Sequence, residues 1–322
     1  MYVRRPALLA GLAMLLLAGA QPADAQTYAT RTVRLVVGFG AGGPTDIPAR
    51  FIADKLGTLI KQRVIVENKP GAAGMLATRD VLSQPRDGHT LLLCTHFESI
   101  NVAVYRNPQF KLADLAPISL ISKYYYGIAM TNALPVNNLD SFIAYAKSKP
   151  GVVNYATIGA ASAQEILVRQ LERLTGISLN RIPFKTGPQV MPEIIAGRVH
   201  IYLSPTLAVL PLHDQKQLKV LAISSPERLA GAADIPTLTE RKIPFVRFGW
   251  LGICAAEGTP QPVIAELNGH ITAIVGSRQY RDLIERGGSI PASSTPAELG
   301  KVIVQTRDEV ASTIQEFGMQ QD

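Results

Sequence analysis

Short apolar runs of strand length alternate with amphipathic helical patterns along the chain from Thr32 onward. The pattern predicts strands at residues 33–37, 64–66, 90–94, 154–157, 181–184, 201–203, 219–223 and 247–254. It predicts helices at residues 46–62, 74–83, 139–147, 162–174, 189–196, 262–275 and 296–317. Strands that alternate with helices are typical of mostly parallel sheets flanked by helices, so we predict an α/β fold.

The alternation is interrupted at residues 115–122 and 126–130, where two strand patterns follow each other without a helix. We predict that the chain crosses here into a second lobe and later returns to the first. Residues 26–123 and 246–322 would then form lobe 1, and residues 124–245 would form lobe 2. Two crossings between lobes create a hinge and a cleft that can close around a ligand.

The first 25 residues have the order of a secretory signal peptide. Arg4 and Arg5 precede an apolar stretch at residues 7–20 that is too short to span a bilayer comfortably. Ala23 and Ala25 then form a small-residue cleavage site. We predict cleavage after Ala25 and export of the mature chain to the periplasm.

The chain is mildly basic, with a formal net charge of +7 from 32 Lys and Arg against 25 Asp and Glu. The charges are scattered, and the sequence contains no block of basic residues of the kind that follows a nucleic acid. Nucleic-acid binding is therefore not predicted, whereas the positive balance favours anionic ligands.

The two cysteines, Cys94 and Cys254, each lie in an apolar, strand-like run. Cysteines inside strands usually pack as small hydrophobic residues, which favours buried free thiols. A disulfide between them is the alternative, since an oxidising compartment permits it.

A glycine-rich turn at residues 38–46 leaves the first predicted strand and opens the first predicted helix. Backbone N–H groups and the positive end of a helix dipole converge at such a turn, which is typical of an anion-binding site. Pro44 suits the start of the helix. The alternative is that the glycines only make a tight turn.

The same turn matches the G-x-G-x-x-G pattern of dinucleotide-binding proteins at Gly38, Gly40 and Gly43. Glu67 ends the next strand, at a distance suited to a ribose hydroxyl. A nucleotide-dependent oxidoreductase is therefore an alternative function. The export signal argues against it, and Asp46 would repel a pyrophosphate unless it is turned away.

Five segments together resemble the tripartite tricarboxylate transporter solute receptors, the Bug family. They are residues 38–46 (GFGAGGPTD), 66–74 (VENKPGAAG), 87–91 (DGHTL), 182–187 (IPFKTG) and 195–199 (IAGRV). The likeness continues through Gly249-Trp250 and Gly258-Thr259-Pro260 and covers nearly the whole mature chain. It implies a type II periplasmic binding protein with a ligand cleft between two α/β lobes. It also implies that carboxylates are held through backbone groups and bridging waters.

The resemblance places a ligand carboxylate at the first glycine-rich turn and a second contact at the turn from Thr157 to Ser162. In this second turn the chain departs from the family, because Ala160 and Ala161 stand where a further glycine-serine pair is expected. Ser162 can equally serve as the N-cap of the following helix. Thr95 and Ser204 end predicted strands, where such folds place ligands. The predicted ligand-binding residues are Phe39, Gly40, Ala41, Gly42, Gly43, Thr45, Asp46, Thr95, Thr157, Gly159, Ala160, Ser162 and Ser204.

Candidate catalytic residues are sparse. The five histidines are isolated, and neither an H-E-x-x-H metal motif nor a G-x-S-x-G nucleophile turn occurs. His96 and Glu98 are the only suggestive pair, and they would share one side of a continued strand.

We therefore expect a periplasmic, monomeric solute-binding protein without catalysis, cofactor or metal. Its expected ligand is a small carboxylate, in particular a dicarboxylate, because two anion-binding turns would face each other across the cleft. Its expected partners are the permease subunits of a tripartite transporter. A sensor that addresses a signalling receptor is a further alternative.

Overall fold

The computed structural model describes residues 28–158 and 162–320. The predicted signal peptide and the predicted ligand contacts Gly159 and Ala160 lie outside the described residues. The strands are β1 (Val33–Val37), β2 (Val64–Asn68), β3 (Thr90–Thr95), β4 (Leu115–Met130), β5 (Asn154–Thr157), β6 (Asn180–Pro183), β7 (Ile201–Pro205), β8 (Lys219–Ile223), β9 (Phe248–Ala256) and β10 (Ser289–Pro291). The α-helices are α1 (Asp46–Ile60), α2 (Met75–Leu82), α3 (His96–Val104), α4 (Leu139–Ser148), α5 (Ala163–Thr175), α6 (Gly187–Ile195), α7 (Thr206–Asp214), α8 (Gln261–Gly276), α9 (Arg278–Glu285) and α10 (Pro296–Glu316).

The strands form two groups that share the long strand β4. The order along the sheet is β2-β1-β3-β9-β4-β7-β5-β6, with β8 and β10 also pairing with β4. The first part of β4 pairs with β9, and its last part, Tyr126 to Met130, pairs with β7. The prediction of two separate strands here was wrong, because one continuous strand runs through both groups. Register shifts near Pro117 and Leu120 mark bulges, which strengthen the local twist.

Parallel pairing holds within each group, and antiparallel pairing occurs along β4 and β9. Strand β1 is parallel to β2 and β3, and β5 is parallel to β6 and β7. Strand β9 is antiparallel to both β3 and β4, so the chain returns to the first group as the sequence predicts. The structure thus has the predicted α/β class, with a mixed sheet flanked by helices. The limits of the two lobes remain predictions.

Helices α3, α7 and α9 were not predicted from the sequence. Helix α3 begins directly after β3, and Thr95 is its N-cap. The Thr95 hydroxyl accepts a hydrogen bond from the Phe97 amide (3.0 Å), and the Glu98 carboxylate accepts one from the Thr95 amide (2.6 Å). This capping box is visible in the sequence as a threonine followed three residues later by a glutamate. The strand therefore does not continue through His96 and Glu98, which was the condition for these two side chains to share one side.

The two cysteines form a disulfide, so the prediction of free thiols was wrong. Cys94 lies in β3 and Cys254 in β9, with Cα atoms 5.8 Å apart. Antiparallel pairing of the two strands brings Cys254 opposite Leu92, and the two cysteines become diagonal neighbours in the sheet. The bond joins residues separated by 160 positions and fixes the returning strand to the first group.

The described residues include no helix that combines the length and the apolar character needed to cross a bilayer.

Candidate ligand-binding site

A cavity of about 750 Å³ lies between the two groups of strands. The turn after β1 and the side chain of Tyr124 on β4 line one side. Residues of α5, α6, β7 and α7 line the other side, among them Gln164 and Tyr202. The volume is within the range of roughly 300–1,000 Å³ that is usual for small-molecule sites. The predicted position of a cleft outside strand ends thus coincides with this cavity.

The turn between β1 and α1 has a conformation that needs its glycines at two positions. Gly42 has a positive φ of 74°, which a residue with a side chain rarely adopts. Gly38 lies so close to the backbone of the next turn that an added Cβ would be 2.8 Å from the Gly74 Cα. Sequence and packing therefore fix this turn at the edge of the cavity.

Asp46 supports the turn from behind. Its Oδ2 accepts hydrogen bonds from the Gly42 amide (2.8 Å) and the Arg50 Nε (2.7 Å), and its Oδ1 accepts one from the Asn68 Nδ2 (2.8 Å). Burial alone would raise the pKa of the Asp46 carboxyl, but these hydrogen bonds outweigh it and hold the pKa below its usual value. Both carboxylate oxygens are occupied, and Asp46 does not line the cavity. The structure thus places Asp46 as a support of the turn.

Fewer backbone N–H groups of the turn are free than the sequence suggests. The Gly42 amide donates to Asp46, and the Gly43 amide donates to the Gly40 carbonyl (3.3 Å). In the part of the chain that the structure describes, the Gly40 and Thr45 amides donate to no protein acceptor, and both residues line the cavity. The Gly40 and Thr45 amides are therefore available as main-chain donors to a bound group.

Two buried side-chain oxygens in the cavity wall have no hydrogen-bond partner among the residues that the structure describes. The Thr45 hydroxyl precedes α1, and the Gln164 side-chain carbonyl lies in the first turn of α5. Thr45 is 8% exposed and Gln164 is 2% exposed. Because each unpaired buried polar group costs about 1–3 kcal/mol, a polar ligand that paired with them would stabilise the folded chain. The starts of two helices, with their positive dipole ends, thus contribute to one cavity.

The buried wall of the cavity also carries hydroxyl groups on β7 and β4. Tyr202 and Ser204 lie on β7, and Tyr124 lies on β4. Burial raises the pKa of the Tyr202 hydroxyl, so it stays protonated and can donate a hydrogen bond. None of the residues found to line the cavity has a charged side chain. The site therefore offers dipoles and hydroxyls instead of ion pairs.

The predicted ligand-binding residues divide into two sets. Those that line the cavity are Phe39, Gly40, Gly42, Gly43, Thr45 and Ser204. Those that the structure describes outside the lining are Ala41, Asp46, Thr95, Thr157 and Ser162. Thr95 and Ser162 act as N-caps of α3 and α5, and Asp46 supports the turn. For these three residues the structure assigns a local role that competes with a direct ligand contact.

Several lining residues were missed by the sequence analysis. Gln164 follows the N-cap Ser162 by two residues, so its place at a helix start could have been inferred from the capping signal. Tyr202 precedes the predicted contact Ser204 by two residues, which places both on one face of β7. No sequence signal marks Met191 and Leu212 as lining residues, because only the tertiary fold brings their helices to the cavity.

A buried histidine lies next to the cavity. The His96 ring is within hydrogen-bond distance of the Tyr124 hydroxyl (Nδ1, 3.2 Å) and the Tyr126 hydroxyl (Nε2, 2.8 Å). Burial lowers the pKa of His96 to about 3, so the ring is neutral at ordinary pH. Glu98 bonds elsewhere, to Thr95 and Thr78, and burial raises the pKa of its carboxyl to about 7. His96 and Glu98 are two residues apart on a helix and do not face each other, so the proposed pair does not form.

Comparison with known proteins identifies the family. The model of the tripartite tricarboxylate transporter family receptor matches residues 48–319. The chain belongs to this receptor family. The relative BugT of Bordetella pertussis is 31% identical to this receptor over 304 residues, which cover 93% of each chain.

Solved structures of periplasmic binding proteins share the fold of this receptor. The structure of BugD is 26% identical with a TM-score of 0.88, covering 92% of this chain and 100% of that chain. An R. palustris protein with adipate is 26% identical with a TM-score of 0.86, covering 90% and 98%. MatC from Rhodopseudomonas palustris with bound malate is 25% identical with a TM-score of 0.83, covering 88% and 99%. The family consists of receptors for transport, and two of these relatives hold carboxylates.

The residue that the dinucleotide alternative assigns to the ribose is engaged elsewhere in this receptor. Glu67, the residue expected to meet a ribose hydroxyl, forms a bidentate ion pair with Arg34, with Nε–Oε1 and Nη2–Oε2 distances of 2.9 and 2.7 Å. Arg34 also pairs with Asp80 at 3.1 Å. The Glu67 carboxylate is thus engaged in a surface network away from the cavity lining.

Proposed function

We propose that this chain is an exported receptor that captures a small carboxylate in the cavity and delivers it to the permease of a tripartite transporter. It catalyses no reaction in this proposal. The observation that carries it is the buried Thr45 hydroxyl at the start of α1, which has no hydrogen-bond partner in the described structure and lines the cavity together with the Gly40 and Thr45 amides. The bound adipate and malate of two relatives support a carboxylate as the ligand.

A carboxylate suits these groups because it accepts several hydrogen bonds. The Thr45 hydroxyl and the Gly40 and Thr45 main-chain amides can donate to it, whereas the unpaired Gln164 Oε1 is an acceptor that suits a hydroxyl or a water beside the carboxylate. Charge-assisted bonds of this kind are roughly twice as strong as neutral ones. Anion binding at helix starts needs no cation, because the dipoles are preorganised.

Closure of the two lobes is part of the proposal. The turn after β1 meets the start of α6 across the cavity, where a Cβ added at Gly40 would lie 3.1 Å from the Thr186 Cβ. A Cβ added at Gly43 would lie 3.5 Å from the Pro188 side chain. The small size of these glycines permits this approach, so we assign the contact to the closed, ligand-holding form.

The remaining parts of the proposal concern the cell and the partner. Residues 1–25 would be removed after Ala25 on export, and the monomer would then dock on the permease. A sensory receptor that uses the same closed form is the second candidate, because ligand capture alone does not choose between the two partners.

Ligand-induced thermal stabilisation tests the proposal. A screen of mono-, di- and tricarboxylates should raise the unfolding temperature of the mature chain, and unfolding should not respond to nicotinamide dinucleotides. Gly40→Leu should abolish the response while the ligand-free chain stays folded, because the side chain prevents the approach to Thr186. Gly269→Leu is the matched control, since a Cβ there meets nothing within 4 Å. Stabilisation by no carboxylate, or an unchanged response of Gly40→Leu, contradicts the proposal.

A further inference from the structure

Polar and apolar groups are unevenly distributed in the cavity. The side chains of Thr45, Gln164, Tyr202 and Ser204, which can hydrogen-bond, are all buried. The lining residues that reach solvent, and therefore mark the mouth, are Gly42, Ile47, Pro192, Ile195, Ala196 and Pro211. The hydrogen-bonding side chains of the lining are therefore buried, beside the apolar Phe97, Ile158 and Pro205, whereas the lining at the mouth is apolar.

Helices α6 and α7 continue the apolar wall between the mouth and the buried end. Met191 on α6 and Leu212 and Ala208 on α7 are half-buried in the lining. Together with the mouth residues they make this part of the lining apolar, and we call these residues the apolar passage. Contiguous exposed apolar surface of this kind in a soluble protein marks a place where an apolar group binds.

A second carboxylate on the ligand would find no partner along this passage. None of the residues that line it in the described structure is Lys, Arg or His. A carboxylate placed there would lose water without gaining an opposite charge or a set of donors, which is unfavourable. A methylene chain or a ring in the same place would gain from burial.

From this distribution we infer that the ligand is an amphipathic monocarboxylate, with its carboxylate at the buried hydrogen-bonding side chains and an extended apolar tail toward the mouth. This inference rests on the proposed function and narrows its ligand class. It replaces the dicarboxylate expected from the sequence. That expectation depended on a second anion-binding turn. Its residues 159–161 lie outside the described structure, and its described neighbours Ile158 and Gln164 bring an apolar side chain and an amide, but no cation, to the lining.

Titration calorimetry with two ligand series tests the inference. One series is butanoate, hexanoate and octanoate, and the other is succinate, adipate and octanedioate. Affinity in the monocarboxylate series should rise about fourfold for each methylene, which corresponds to about 0.8 kcal/mol, until the tail fills the cavity. Each dicarboxylate should bind more weakly than the monocarboxylate of equal chain length.

A cation placed at the mouth should reverse this preference. Ile195 is the last residue of α6 and is 44% exposed, so Ile195→Lys is tolerated by the fold and suits a helix C-terminus. The variant should bind adipate or octanedioate roughly fivefold more tightly, as expected for a partly exposed ion pair of about 1 kcal/mol. It should bind octanoate more weakly. Leu174→Lys, in the last turn of α5 with 44% exposure and outside the cavity, is the matched control and should leave both series unchanged.

The outcomes separate the inference from the proposed function. If dicarboxylates bind more tightly than monocarboxylates of equal length, or if affinity does not rise with chain length, the inference is wrong while carboxylate capture stands. If Ile195→Lys and Leu174→Lys behave alike in both series, the apolar passage does not hold the tail and the inference is again wrong. If no member of either series binds, carboxylate capture itself fails, and the inference fails with it.

Discussion

Replacement of Thr45 by valine tests the role of the unpaired hydroxyl most directly. Valine keeps the shape of threonine and removes only the hydroxyl, which has no partner in the described structure. Thr45 is the N-cap of α1 but makes no side-chain cap hydrogen bond, so no capping energy is lost. The ligand-free variant should therefore be as stable as the wild type or more stable, by up to about 1 kcal/mol.

Ligand binding by the same variant should weaken. A hydrogen bond from a hydroxyl to a carboxylate contributes about 1.5–3 kcal/mol, so Thr45→Val should raise the Kd about 10- to 100-fold. Titration calorimetry with the best ligand of the screen measures the Kd, and urea unfolding without ligand measures the stability. The combination of weaker binding with unchanged or greater stability separates a ligand contact from a structural role.

Thr157→Val is the matched control for this experiment. The Thr157 hydroxyl is also buried, with 0% exposure, and has no partner among the described residues, but Thr157 does not line the cavity. Its removal should leave the Kd unchanged within about twofold, because it takes no part in binding. A normal Kd for Thr45→Val, or a weakened one for Thr157→Val alone, would refute the assignment of the cavity polar groups.

Three further predictions concern the folded chain. Loss of the Cys94–Cys254 disulfide should lower the free energy of unfolding, measured in urea, by about 2–5 kcal/mol. The bond can be removed by reduction or by the double substitution Cys94→Ala and Cys254→Ala, and a smaller loss of stability would contradict this prediction. Burial raises the pKa of the Glu98 carboxyl from 4.5 to about 7, so between these pH values the folded chain keeps a proton that the unfolded chain releases. The stability contributed by this protonated carboxyl is complete below about pH 4.5 and is lost as the pH rises to about 7. Glu98→Gln should remove this pH dependence. Between about pH 4.5 and 7 the free energy of unfolding of the wild type should therefore fall, relative to that of the variant, by up to about 1.4 kcal/mol per pH unit. If the free energies of unfolding of both proteins change equally with pH, the raised pKa is contradicted. Asp46→Asn should weaken ligand binding in calorimetry although Asp46 does not line the cavity, because one of its two acceptor oxygens becomes an NH2 group that faces either the Gly42 amide or the Asn68 Nδ2. Unchanged binding would mean that the glycines alone hold the turn.

The alternation of strands and helices was predictable because its signals are local. Strands β1, β5 and β8 have the predicted limits, and the helix after the glycine-rich turn begins at Asp46 as predicted. The turn itself was recognisable because glycines with special backbone angles and close approaches leave a direct mark in the sequence. Such features depend on residues that are neighbours along the chain.

Features that depend on strand neighbours were not predictable in the same way. The disulfide follows from the pairing of β3 with β9, which the periodicity of either strand alone does not reveal. The continuity of β4 depends on partners in both strand groups. The apolar passage between α6 and α7 was missed for the same reason, because each helix shows only that one face is apolar and not what that face meets.

An uncharged site fits a receptor that must give up its ligand. A buried cation would be left without a partner in the empty cavity, at a cost of several kcal/mol. In the proposed cycle, the unpaired Thr45 hydroxyl and Gln164 Oε1 cost much less when the ligand leaves, because they are neutral and water can reach them once the lobes open. The rigid part of the site is supplied by Asp46, whose bonds to the turn do not involve the ligand. In the proposed cycle, the turn therefore keeps its shape in the empty receptor, while the neutral donors allow both capture and release.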